Sequence, residues 1–258
     1  MSGKMTIVLS LMTFVFFAGC NKYACGDKRL AENLSGRKTV VAKYTDKAVN
    51  LDGRLDDPQW ETAGNYTLVL PLDRQDKGMS LREDGQVSFC WDKDYLYVGI
   101  KFNDADVIAT GQEDNIHHYT LGDICEIFLK PINETYYWEL YATPASRKTA
   151  FYFPTKLHQP IIIDKYFCDK MIVRSQITGT LNKSDDRDSG WTAEMAISVK
   201  QLKKYGAQFR EGQFWTVLAG RYDYFYSIEA EPGLSAFPEL SITSWHSLDE
   251  YAILKLEK

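Results

Sequence analysis

The sequence predicts an all-β fold, an antiparallel two-sheet β-sandwich of the immunoglobulin or jelly-roll kind with one or two short helical turns. Three observations predict it. Short segments alternate apolar and polar residues at period two, turn signals separate them, and almost no stretch shows helical periodicity. The chain has 258 residues, enough for one large β domain, with a formal charge of -5 and an aromatic content of 14% that includes 16 Tyr. That acidic balance offers no basic footprint for a nucleic acid. The aromatic surplus suits either a ring-rich core or a face that stacks on a ligand.

Taken in order, residues 1–19 read as a signal peptide. Lys4 supplies the charged start and Thr6 to Phe17 an apolar stretch too short to span a bilayer well. The run ends in F-A-G-C, which resembles a bacterial lipobox and marks Cys20 as the lipidated first residue of the mature chain; a simple secretory signal cleaved nearby is the alternative. Both imply export, the first with membrane anchoring at the outer membrane or cell surface. Residues 20–45 are polar and lysine-bearing and read as a flexible tether. Residues 46–258 form the single domain. Cys25, Cys90, Cys125 and Cys168 remain, as buried thiols or as disulfides.

The run 49–63, V-N-L-D-G-R-L-D-D-P-Q-W-E-T-A, joins a tight turn at Asp52-Gly53 to a short helical turn. Asp56 or Asp57 caps that turn, Pro58 starts it, and Trp60 and Ala63 point inward as a plug. Strands follow over Val87–Trp91, Tyr95–Phe102, Asp123–Leu129, Tyr136–Thr143, Trp191–Ile197, Phe214–Tyr222 and Tyr251–Leu256, with a helical turn at Val199–Leu202. Several of these strands set an apolar face against a second face of rings and charges: Tyr97, Lys101, Glu126, Tyr137, Glu139, Tyr141 and Glu194, with Arg221 as an addition. Such a face suits a sugar, whose C–H surface stacks on rings and whose hydroxyls want charged partners. An internal polar layer, covered by residues 144–190, is the competing reading.

In its motifs the chain resembles the family-9 carbohydrate-binding modules, within the DOMON-like sandwiches. The likeness is carried by D-G-x-L-D-D-x-x-W-x-x-A from Asp52, W-D-x-x-Y-L-Y-V from Trp91, G-D-x-x-E-I-F from Gly122 and W-T-A-E-M-A-I from Trp191. The resemblance implies a non-catalytic lectin that holds a sugar unit between two aromatic side chains. It carries the motif carboxylate onto Glu126. The first aromatic falls near His118 and Tyr119, and the second in a short loop before the last strand, at Trp245. Glu139 stands where an arginine is expected, and Arg221 supplies a guanidinium by inference from the strands alone.

The candidate sugar-binding residues are thus Trp245, Tyr119, Glu126, Arg221, Glu139 and His118. Structural calcium, common in the family, would take oxygen ligands from turns such as those of Asp52 and Asp104. Glu126, Glu139 and Glu194 would need a converging acid and base to make an enzyme, and hydrogen bonding in a binding face is the preferred reading. The expected partners are a glycan, a membrane through the lipid anchor, and glycoside hydrolases on other chains. A structural or protein-interaction lipoprotein that has lost the sugar site is the alternative.

Overall fold

A computed structural model describes residues 35–157 and 162–258. Cys20, Cys25 and the expected signal segment lie outside the described residues. Residues 37–258 make one compact unit, and thirteen strands in a single nearly continuous sheet build it. The strands are β1 (Thr39–Tyr44), β2 (Asn65–Thr67), β3 (Gly85–Trp91), β4 (Tyr95–Phe102), β5 (Ile124–Pro131), β6 (Tyr137–Ala142) and β7 (Lys148–Phe153). Then come β8 (Ile162–Ile163), β9 (Ile172–Thr178), β10 (Gly190–Ser198), β11 (Phe214–Asp223), β12 (Gly233–Phe237) and β13 (Ala252–Glu257). Among the described residues the α-helices are short: α1 (Pro58–Thr62), α2 (Leu72–Gln75), α3 (Lys165–Lys170) and α4 (Val199–Leu202), with 3-10 turns at His118–Thr120 and Leu248–Glu250.

The spatial order is β8-β7-β6-β5-β11-β13-β1-β3-β4-β10-β9, with β12 added to β11 and β2 to β3. The sheet folds over itself into two layers. Trp138, Ile127 and Val217 from one half share a core with Val98, Ile100, Trp191 and Met195 from the other. Alternation places these apolar side chains inward and leaves the other face of each half to be covered or exposed. The sandwich architecture expected from the alternation is present.

The domain begins earlier than expected. β1 lies inside the segment read as a tether, yet Val40 and Ala42 are fully buried. It pairs parallel to β13 (Thr39 opposite Ile253, Lys43 opposite Glu257) and parallel to β3, joining the two halves of the sheet. Its partner strands are distant in sequence, which is why a local pattern of T-V-V-A-K-Y gave no sign of it. Cys90, Cys125 and Cys168 are free, buried thiols.

Candidate functional site

The outward faces of the two halves differ. On the β3–β4–β10 half, the run 49–63 is a lid. Asp57 stands at the N-terminal boundary of α1 with Pro58 in its first turn, but its carboxylate accepts from the Asn50 backbone and does not cap the helix; Trp60 and Ala63 are buried. The Trp60 indole N–H and the backbone N–H groups of Asp52 and Gly53 all donate to Glu194, each at 2.8 Å. Gly53 has φ +88° and an added Cβ would lie 2.8 Å from the backbone of Ser175, so only glycine lets the turn settle on the sheet. Tyr97 is buried under the same lid and donates to Asp92 at 2.8 Å. Glu194 and Tyr97, read from sequence as part of a ligand face, are therefore structural here. The cover over Glu194 and Tyr97 is chiefly the opening motif, with Ile172 packed beside it, whereas Tyr137 and Tyr141 are buried against Phe153 and Phe151 from the 144–190 stretch.

On the β6–β5–β11 half the outward face holds a cavity of about 280 Å³, close to the ~300 Å³ at the small end of ligand pockets. Glu126, Glu139, Tyr141, Tyr119, His117 and Trp245 are among its lining residues. Glu126 comes from β5 and Glu139 from β6, where Phe128 faces Glu139 and Glu126 faces Tyr141 across the ladder. The two carboxyls are thus diagonal neighbours on one face. The Tyr141 hydroxyl lies between them and donates to Glu139. Both glutamates are buried, at 2% and 7% exposure. Burial and then the Glu139 charge hold Glu126 well above the usual carboxylate range. Burial pushes Glu139 up to about 7. Two like charges this close in a poorly solvated site cannot both ionise at neutral pH, so the pair retains a proton.

Trp245 comes from residues 238–251, a longer connection than the short loop expected. Side chains brace it: Thr243 donates to Asp73, Glu250 accepts from the Ser241 backbone and hydroxyl, and the Tyr251 hydroxyl donates to the Trp245 carbonyl. The indole lies over Gly220, where an added Cβ would be 3.0 Å from its Nε1. Gly220 is the cross-strand partner of Glu126, so the lack of a side chain there lets the ring approach the acid pair. The indole Nε1 is buried and has no hydrogen-bond partner among the described residues. Tyr119 and Trp245 both pack on Tyr222, at 5.9 and 6.4 Å between ring centroids.

His246 completes the wall. Its Nδ1 shares a 2.8 Å hydrogen bond with the Tyr137 hydroxyl, and its Nε2 lies 4.0 Å from Glu139. Burial lowers its pKa to about 4, which leaves it neutral near pH 7. His246 is a lining residue that sequence reading missed; its place beside Trp245 in a loop next to the expected platform was the available signal.

Two expected sugar ligands lie elsewhere. Arg221 is 1% exposed and on the inner side of β11, in phase with Trp215, Val217 and Ala219. It pairs with Asp104 at 3.2 Å and Asp223 at 3.0 Å, donates to the Asn103 carbonyl, and packs on Phe102. Counting the alternation along β11 would have assigned it inward. His118 is buried too, with its ring nitrogens on the Thr149 hydroxyl and the Glu113 carbonyl; it positions its neighbours His117 and Tyr119.

The G-D-x-x-E-I-F motif divides in the same way. Gly122 has φ +130° where a Cβ would strike the Ile108 carbonyl, and Asp123 accepts from the backbone of Ile108 and Tyr224, while Glu126 reaches the cavity.

Asp52 and Asp104 are not brought together. The Asp52 carboxylate accepts from its own turn, from Arg54 and Asn50. Asp104 clusters with Glu83 and Asp223, within 4.8 Å of one another. Arg221 already supplies positive charge to Asp104 and Asp223, so that donor set fits an ion-pair network better than a calcium cradle.

No family model and no curated protein matches the chain by sequence. Solved structures do match. A Bacteroides uniformis protein provisionally described as carbohydrate-binding aligns with a TM-score of 0.68 at 12% identity, covering 85% of this chain and 99% of that one. A family-9 carbohydrate-binding module from Caldicellulosiruptor kristjanssonii aligns in its complexes with cellotriose and with glucose. The TM-scores are 0.54 and 0.55 at 13% identity, covering 85% of this chain and 94% and 96% of the module. At such identity the likeness is one of architecture: this chain has the fold of the family-9 carbohydrate-binding modules.

Proposed function

We propose that the protein binds carbohydrate without cleaving it, taking one pyranose-sized unit into the cavity beside Trp245. The observation that carries this is the combination in one small cavity of aromatic walls, a buried carboxyl pair and an unpaired indole N–H. The rings offer flat apolar faces for sugar C–H groups, and the carboxyls and indole offer partners for hydroxyls. The shared fold with modules crystallised with cellotriose and glucose supports the same reading.

The role extends from binding to context: an exported chain lipidated at Cys20, with residues that precede β1 as its tether, holding glycan at the cell envelope for hydrolases encoded elsewhere. Titration calorimetry of the purified protein against glucose, cellotriose and a panel of mono- and oligosaccharides tests the binding. Dissociation constants between about 1 μM and 1 mM are expected, weakened at least about tenfold by Trp245→Ala. Absence of binding to every sugar would overturn the reading. Metabolic labelling with palmitate, lost in Cys20→Ala, tests the anchor.

A further inference from the structure

A neutral pyranose needs no net charge in its pocket, yet this cavity holds two buried carboxyls with no cation among its described lining residues. Arg221, the buried guanidinium of β11, is on the reverse side of the sheet, held by Asp104 and Asp223. His246, which faces Glu139, is kept neutral chiefly by its burial, with the charge of Lys156, outside the lining residues, acting in the same direction. Among the described residues the one side chain that donates to the pair is Tyr141, whose hydroxyl is on Glu139. Its single proton cannot satisfy four carboxyl oxygens, which accept several hydrogen bonds when ionised.

A second observation points to a ligand independently of the acids. The Trp245 indole is 7% exposed, and its N–H lies unpaired over Gly220, beside Glu126. A buried donor without a partner costs free energy that a ligand acceptor recovers. The cavity therefore sets an unpaired indole beside two carboxyls, and a carboxyl that ionises there has no cation among the described lining residues to balance it. A sugar hydroxyl answers the first, and an ammonium with three donors answers the second.

We infer that the cavity selects a sugar bearing a protonated primary amine, as in a de-acetylated amino-sugar chain, over neutral, N-acylated and acidic sugars. The inference rests on the carbohydrate reading above and names its ligand class. An ammonium between Glu126 and Glu139 would favour ionisation of one carboxyl and cancel the charge that forms; a uronic acid would add a like charge and be excluded.

The test is titration calorimetry of the whole protein at about pH 6.5, where amine and carboxyl pair are both partly charged. The probes are the β-1,4-linked trimer of glucosamine, its N-acetylated counterpart and cellotriose. The glucosamine trimer is expected to bind about tenfold more tightly than either. Glu139→Gln, checked for folding by its thermal transition, is expected to reduce that preference to about threefold or less, with Glu126→Gln as the second variant if it does not fold. If cellotriose binds as tightly as the glucosamine trimer, or tighter, the cation inference falls while the sugar reading stands. If no trimer binds, both fall. A preference unchanged in whichever variant folds would overturn the assignment of the cation to the acid pair.

Discussion

Glu194 and Glu139 are both buried glutamates on outward faces of the same sandwich, and the sandwich treats them in opposite ways. Glu194 meets three protein donors, at 2.8 Å each, from the lid that covers it. Burial still raises its pKa, but the hydrogen bonds pull against that rise. Glu139 has the Tyr141 hydroxyl, a neutral His246 at 4.0 Å and a second acid for company. One face has closed on its carboxylate and become structure. The other keeps its carboxyls short of partners beside an open cavity, which is what a ligand can exploit. The presence of buried acids does not mark the site; their unmet hydrogen bonds do.

That contrast can be broken from either side. The largest effect is expected at the lid: Trp60→Ala removes a buried ring and a Glu194 donor, and should cost about 3–5 kcal/mol in denaturant unfolding. Sugar affinity should stay within about twofold, since Trp60 is on the opposite half. A loss of binding at unchanged stability would reverse the roles assigned to the two faces.

Next comes Glu139→Gln, where the sign is opposite. The folded pKa of Glu139 is raised to about 7 from an ordinary 4.5, and that of Glu126 is raised as well. The Glu139 contribution to stability is therefore present below about pH 4.5 and lost as pH rises through about 7, and the raised Glu126 acts with the same sign. Ligand-free protein should lose on the order of 1–3 kcal/mol between these limits from this pair, and Glu139→Gln should lose less. Unfolding free energies measured at both ends of the range check this, and identical pH profiles would mean the acids are not coupled.

Gly220→Ala should cost about 1 kcal/mol, because the new Cβ would be 3.0 Å from the indole and would displace the ring. Binding should weaken severalfold, as a calorimetric titration would show. The smallest effect is expected for Trp245→Phe, which keeps an aromatic wall but removes the unpaired N–H. Stability should change by about 1 kcal/mol and affinity by about threefold to tenfold; affinity equal to wild type would mean that no ligand acceptor meets the indole.

Much of the sandwich was legible because period-two alternation is a local property: β4, β5, β6 and β10 show their inward residues in the sequence. Glu126 and Glu139 were legible for the same reason, while Tyr119 and Trp245, which lie outside the strands, were indicated by the resemblance to the family-9 modules. What covers a face is not local. Nothing near Glu194 tells that Trp60 and the Asp52-Gly53 turn will land on it. β1 was hidden for a related reason, since its partners β13 and β3 are far away along the chain. Arg221 and His118 failed differently. Each is one position out of phase with a cavity-facing neighbour, Tyr222 or Gly220 in one case and His117 or Tyr119 in the other. A single step in a strand reverses the side chain's direction, which accounts for Arg221; His118 begins a 3-10 turn that aims its ring at Thr149 and the Glu113 carbonyl. Charge type suggested a ligand contact, and parity decided against it for Arg221.

The placement of β1 has a mechanical consequence. It has a ladder on each side, to β13 and to β3. A pull along its axis on the chain ahead of Thr39 would load the rungs of both ladders together, in shear, and could not peel them one after another. Under the proposed anchoring ahead of β1 and the proposed hold on a glycan, tension would be met there first, at a strand stitched between the last one and the third.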